Sequence, residues 1–121
     1  MEIGIGYERK TVAGERLRAE AVIPRLDGEG RGIERINAFY RTAAEVFLAR
    51  AAALRLPEGR YTAQLCAAAE RKDAVLTVQL CWRLCRRGRG LEEKRCLHRW
   101  LLPQGYLQPD TANPSRKRGK V

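Results

Sequence analysis

Apolar and polar positions alternate from the start of the chain. Ile3, Ile5 and Tyr7 fall on one side of a two-residue repeat and Glu2, Gly4, Gly6 and Glu8 on the other, the pattern of a strand. A turn is expected over residues 11–15 around Gly14. A second strand follows over about 17–23, closed by Pro24, whose missing N–H suits a strand end or an edge. Asp27, Gly28, Glu29, Gly30 and Gly32 then make a flexible connection. From residue 33 the period changes. Ile33, Ile36, Tyr40, Ala43, Phe47, Ala51 and Leu54 recur at spacings of three and four, one apolar stripe along a helix over 33–54. Glu34, Arg35, Arg41, Glu45 and Arg55 fall mainly outside it, the many alanines favour the helix, and Pro57 and Gly59 end it.

Three more strands follow, over about 61–70, 75–85 and 92–102, with a charged turn at Arg71, Lys72 and Asp73 and a second turn around Gly88, Arg89 and Gly90. Gln104 and Gly105 form the next bend. In the strand over 75–85, Leu76, Val78, Leu80, Trp82 and Leu84 share one face. If Arg71 pairs with Ala74, Tyr61, Ala63, Leu65, Ala67 and Ala69 fall opposite them, so the apolar positions of both strands meet on the side a helix would cover. The predicted fold is α+β: an antiparallel sheet of about five strands, with one long amphipathic helix on one face and the order β-β-α-β-β-β. Residues 1–109 form a single domain, a size one core can serve, and residues 110–121 a mobile basic tail.

Composition adds compartment and charge. The first residues hold no apolar run of the length a signal peptide or membrane span needs. Taken as a whole, the chain is therefore expected in the cytoplasm, with its four cysteines reduced. The net charge is +10, and its distribution matters more than its size. Seven basic residues, Arg83, Arg86, Arg87, Arg89, Lys94, Arg95 and Arg99, lie in a segment whose only acids are Glu92 and Glu93. The tail adds Arg116, Lys117, Arg118 and Lys120. Such an asymmetry points to an anionic surface as partner.

Three segments carry a resemblance. IPRLDG followed by IERIN, then DAVLTVQL, then HRWLLPQG, occur in an order and spacing that extend over roughly residues 17–106. They resemble the domain of unknown function in the extracytoplasmic sensor part of RsiV-like anti-sigma factors, similar to domains that accompany some peptidoglycan deacetylases. The resemblance implies a helix-on-sheet α+β fold and a role in binding rather than catalysis, here in a short, standalone, unexported version. Within the motif it gives Pro24, Gly28 and Asn37 structural roles: strand end, turn, and a side-chain bond near the helix start.

The reactive residues form no recognisable centre. If Arg87 pairs with Gly90, Cys81 lies opposite Cys96, with Cys66 on the neighbouring strand and His98 on the face of Cys96. A Cys/His metal site could be drawn from these. Cys81 and Cys85, however, are separated by about 13 Å along a strand, and no CxxC knuckle occurs. Small, partly buried free thiols are the expectation, with no metal and no cofactor. Cys96 and His98 lack a third orienting group, and LDGEGRG lacks the Lys and Ser/Thr of a phosphate loop, so no enzyme is expected. What remains is a small binding or adaptor domain recognising a protein partner, with the open sheet face and the basic hairpin as its candidate surface. The alternative is nucleic acid or another polyanion, gripped by the basic hairpin and tail.

Overall fold

The computed structural model describes residues 3–108. Six strands and one helix follow in the order β1 (Gly4–Ala13), β2 (Leu17–Asp27), α1 (Arg31–Ala52), β3 (Tyr61–Lys72), β4 (Val75–Arg86), β5 (Arg89–Leu101) and β6 (Tyr106–Leu107). All six strands join one sheet in sequence order. The class is α+β, as expected, with two corrections. β6 is an additional strand of two residues, too short to carry a period. The sheet is also not wholly antiparallel, because β2 and β3 pair in parallel, from Leu17 opposite Tyr61 to Ala21 opposite Leu65. A helix lying on the sheet returns the chain to the end where β2 began, so the next strand must run the same way.

β2 continues four residues past Ile23, and Pro24 sits inside it, paired with Tyr7. The reason is visible in its neighbour. The Leu26 N–H donates to the Asn37 side-chain oxygen at 2.8 Å, and the Asn37 amide donates to the Leu26 carbonyl at 2.9 Å. Even-numbered residues here therefore turn their backbone groups away from β1, toward the side that β3 has already left after Ala21. Pro24 shares that parity, so its missing N–H removes no ladder bond. Asn37 makes the side-chain bond near the helix start that its place in the motif implied. Across the same gap the Ala69 N–H donates to the Tyr7 hydroxyl at 3.0 Å.

The hairpin registers correct the expected ones in instructive ways. Lys72 pairs with Val75 around the two-residue turn Asp73-Ala74, with Asp73 at φ 54°, so the β3–β4 register is displaced by two residues from an Arg71–Ala74 pairing. An even displacement leaves every side chain on its expected face. In the β4–β5 hairpin Arg86 pairs with Arg89, and a bulge between Leu84 and Cys85 leaves Leu91 extra. This odd displacement changes the chemistry. Cys96 stands opposite Leu80, on the helix side, while Cys81 faces Arg95 across β5 and Cys66 across β3.

The core lies between α1 and β2–β4. Ile33, Ile36, Tyr40, Ala44, Phe47 and Ala51 are buried on the helix, against Ala19, Ala21, Ile23, Ala63, Leu76 and Val78 of the sheet. The stripe is the expected one except that Ala44 replaces Ala43, and Leu54 lies past the helix end and is exposed. The small side chains of β2 and β3 leave room for the Tyr40 and Phe47 rings. No helix among the described residues is long and apolar enough to cross a membrane. The predicted mobile tail lies outside the described residues.

Candidate binding groove

A six-stranded sheet spans about 24 Å at roughly 4.8 Å per interval, whereas one helix is about 10 Å wide. α1 lies chiefly over β2, with lesser contact to β1 and β3. On the β4–β5 side the core reaches Leu76, Val78 and Trp100, whereas Trp82, Glu92 and Lys94, toward the β4–β5 hairpin, stay partly or fully exposed. Beside α1 this leaves an open groove of about 1140 Å³. Its floor is Leu65, Leu80, Trp82 and Trp100, and one wall is the flank of α1 carrying Phe39, Ala43 and Val46. The opposite side is formed by Glu92 and Lys94 of β5 and by Tyr106 and Leu107 of β6. Phe39, Val46, Tyr106 and Leu107 are large apolar side chains exposed by 38%, 42%, 58% and 47%, so the groove is an uncovered apolar surface and not a closed cavity.

An aromatic cluster fixes one end of this floor. Tyr40 is fully buried, and burial pushes its hydroxyl well above the usual tyrosine range, so it keeps its proton. The Trp100 Nε1–H donates to the Tyr40 oxygen at 2.8 Å. The same oxygen lies 2.9 Å from His98 Nδ1, a hydrogen bond that ties α1 to β5. Phe39 packs edge-on against Trp100 at 5.1 Å and against the Tyr40 and His98 rings. Tyr40→Phe keeps the ring but strips the buried Trp100 N–H of its acceptor, and is expected to destabilise the fold by about 1–3 kcal/mol. Denaturant melts check this: the midpoint should fall with an unchanged slope.

The charged groups at the groove are mostly cations. Arg35 lies over the Tyr106 ring at 5.4 Å and reaches the Gln104 carbonyl at 3.5 Å. Lys94 stands over Trp82 at 6.0 Å. Arg50 lines the end near the helix C-terminus, and Glu92 is the one acid among the lining residues.

The basic residues singled out from the sequence are distributed over several surfaces. Arg83 and Arg95 lie on the face away from the helix and share Glu93, whose carboxyl is held below its usual range first by the Arg83 hydrogen bond at 2.9 Å. Arg86 donates to the Glu58 carbonyl at 2.7 Å and covers the Tyr61 ring. Arg87 and Arg89 are at the hairpin tip, and Lys94 turns to the groove. Arg99 stands opposite Thr77, about 33 Å along the strand from Arg89. Arg116, Lys117, Arg118 and Lys120 lie outside the described residues. The four cysteines are free thiols, and no group of three or more Cys, His, Asp or Glu among the described residues could hold a metal ion.

Sequence reasoning missed the groove wall. Phe39, Ala43 and Val46 form a second row at helical spacing beside the buried stripe, and Tyr106-Leu107 is an apolar pair after the last bend. Two adjacent rows make an apolar sector wider than one sheet contact needs, and that width was the available signal. No family model matches the chain, and a comparison with curated proteins finds no match either.

Proposed function

We propose that the protein is a small non-enzymatic binding domain that takes an apolar segment of a protein partner into the groove between α1 and β4–β6. The observation that carries this reading is the open groove beside α1, whose rim exposes the large apolar side chains of Phe39, Val46, Tyr106 and Leu107. Such a surface, rimmed by polar groups, is a common form of protein docking site. The resemblance to RsiV-like sensor domains supports binding rather than catalysis. The polyanion alternative has less geometric support, because Arg83 and Arg95 are spent on Glu93, Arg86 on a carbonyl, and Lys94 faces the other way.

Affinity capture from native lysate, with and without nuclease, separates the two readings. Val46→Glu places a charge on an exposed groove wall and should remove defined protein partners without unfolding the domain. Charge reversal at Arg86, Arg87 and Arg89 should leave those partners in place. If the reversal, and not Val46→Glu, removes them, and nuclease does the same, the hairpin is the binding surface and the groove reading fails.

A further inference from the structure

We infer that the groove's occupant is an acidic amphipathic helix of another protein, an inference that rests on the groove being the docking site. Width points to a helix. The groove runs beside α1 between the Phe39 and Val46 flank and the partly or fully exposed Trp82, Glu92 and Lys94, and a second helix would pack on that flank at an axial separation of about 8–10 Å. A strand added at the free edge of β5 would extend the sheet sideways and leave the groove uncovered. Length agrees. The groove follows α1 from Arg35 to Ala51, about 24 Å at 1.5 Å per residue, which matches a helix of roughly sixteen residues.

Charge points to acid. Among the described residues neither Arg50 nor Lys94 has a carboxylate partner, and the contacts of Arg35 are a carbonyl and an aromatic ring, which leave its charge uncompensated. These three cations line the groove against the single carboxylate of Glu92. A helix laying leucine-like side chains on Trp82 and Val46 would present its flanking positions to them. Glutamates there would find partners, and lysines would meet like charge.

The test uses the full chain and three labelled synthetic peptides of about sixteen residues. All share one leucine stripe at helical spacing, with flanking positions filled by glutamate, glutamine or lysine. Anisotropy titrations at low and physiological salt should rank glutamate first, about three- to tenfold ahead of glutamine, with the lead shrinking as salt rises. Arg50→Glu with Lys94→Glu should cancel or invert that lead, and Val46→Glu should weaken all three peptides. Equal affinities, each still sensitive to Val46→Glu, would overturn the acidic preference while leaving the groove as a docking site. Binding that ignores Val46→Glu, or no binding at all, would overturn both. Displacement of the acidic peptide by micromolar dodecanoate would reassign the groove to an acyl chain and reject the helix.

Discussion

Phe47→Ala is expected to lower the unfolding free energy by about 3–5 kcal/mol, the range for truncating a buried aromatic side chain. Phe47 is only 7% exposed and stands between Ala44 and Ala51 on the buried row of α1. Both neighbours are too small to move into the space it would leave. Because Phe47 also lines the groove, water can reach part of that space, which places the expected loss toward the lower end of the range. Arg41→Ala is the control on the same helix. Its guanidinium is half exposed and meets Glu8 at 3.3 Å, a surface pair whose loss should change stability by about 0.5 kcal/mol. Urea melts of the two variants should therefore differ severalfold in midpoint shift at constant slope. Equal and small shifts would mean that α1 presents a different face to the sheet.

The extent to which the fold was legible depended on how far each period ran. Twenty-two residues of helix and strands of ten or more offer many repeats, and Ile33, Ile36, Tyr40 and Phe47 identify the buried face without ambiguity. What periodicity cannot report is strand direction. Nothing in the alternation of Ala19 and Ala21 tells whether Ala63 and Leu65 run with them or against them, and only the helix between them decides. Register was legible modulo two on the β3–β4 hairpin, because faces constrain parity and nothing more. On β4–β5 the charged run Glu92, Glu93, Lys94, Arg95 has no apolar face to reveal the bulge at Leu91, and the cysteine pairing was consequently misplaced.

The candidate site was less legible for a different reason. Charge is conspicuous in a sequence, whereas an uncovered surface is a property of what fails to pack on it. Arg83 and Arg95 stand out as part of a basic cluster, yet in the fold they are held to one glutamate on the face opposite the groove. Val46 and Tyr106 pass as ordinary apolar residues until the sheet is seen to be wider than its helix. Lys94 links the two views: it was singled out for its charge and is found at the groove, beside Trp82.

Gly32→Ala sets two opposite effects against each other and so tests how the groove is closed at its β6 end. Gly32 lies in the first turn of α1, where alanine should by propensity alone add about 1 kcal/mol of stability. Packing forbids it. A Cβ at this position would overlap the Pro103 carbonyl oxygen and stand 2.6 Å from the Gln104 carbonyl carbon, both backbone atoms that no side-chain rotation can move aside. Gly105 meets Gly32 from the other side at φ 76°, so the turn before β6 and the start of α1 are in backbone contact. Forcing them apart is expected to cost on the order of 3 kcal/mol, enough to reverse the sign set by propensity. Gly6→Ala is the matched control, since its nearest neighbour would be the Arg25 carbonyl at an ordinary 3.9 Å, and it should be neutral or slightly stabilising. The loss at Gly32 should also be local in character. The Gly105 N–H bonds the Leu101 carbonyl at 2.7 Å and the Gln108 N–H bonds the Arg99 carbonyl at 2.7 Å, and these two bonds hold β6 at the groove's edge. In Gly32→Ala their amides should exchange with solvent faster than the global loss of stability requires, because the turn and β6 are displaced before α1 leaves the sheet. A variant as stable as the parent, with both amides still protected, would show that the helix start and the turn at Pro103 do not touch.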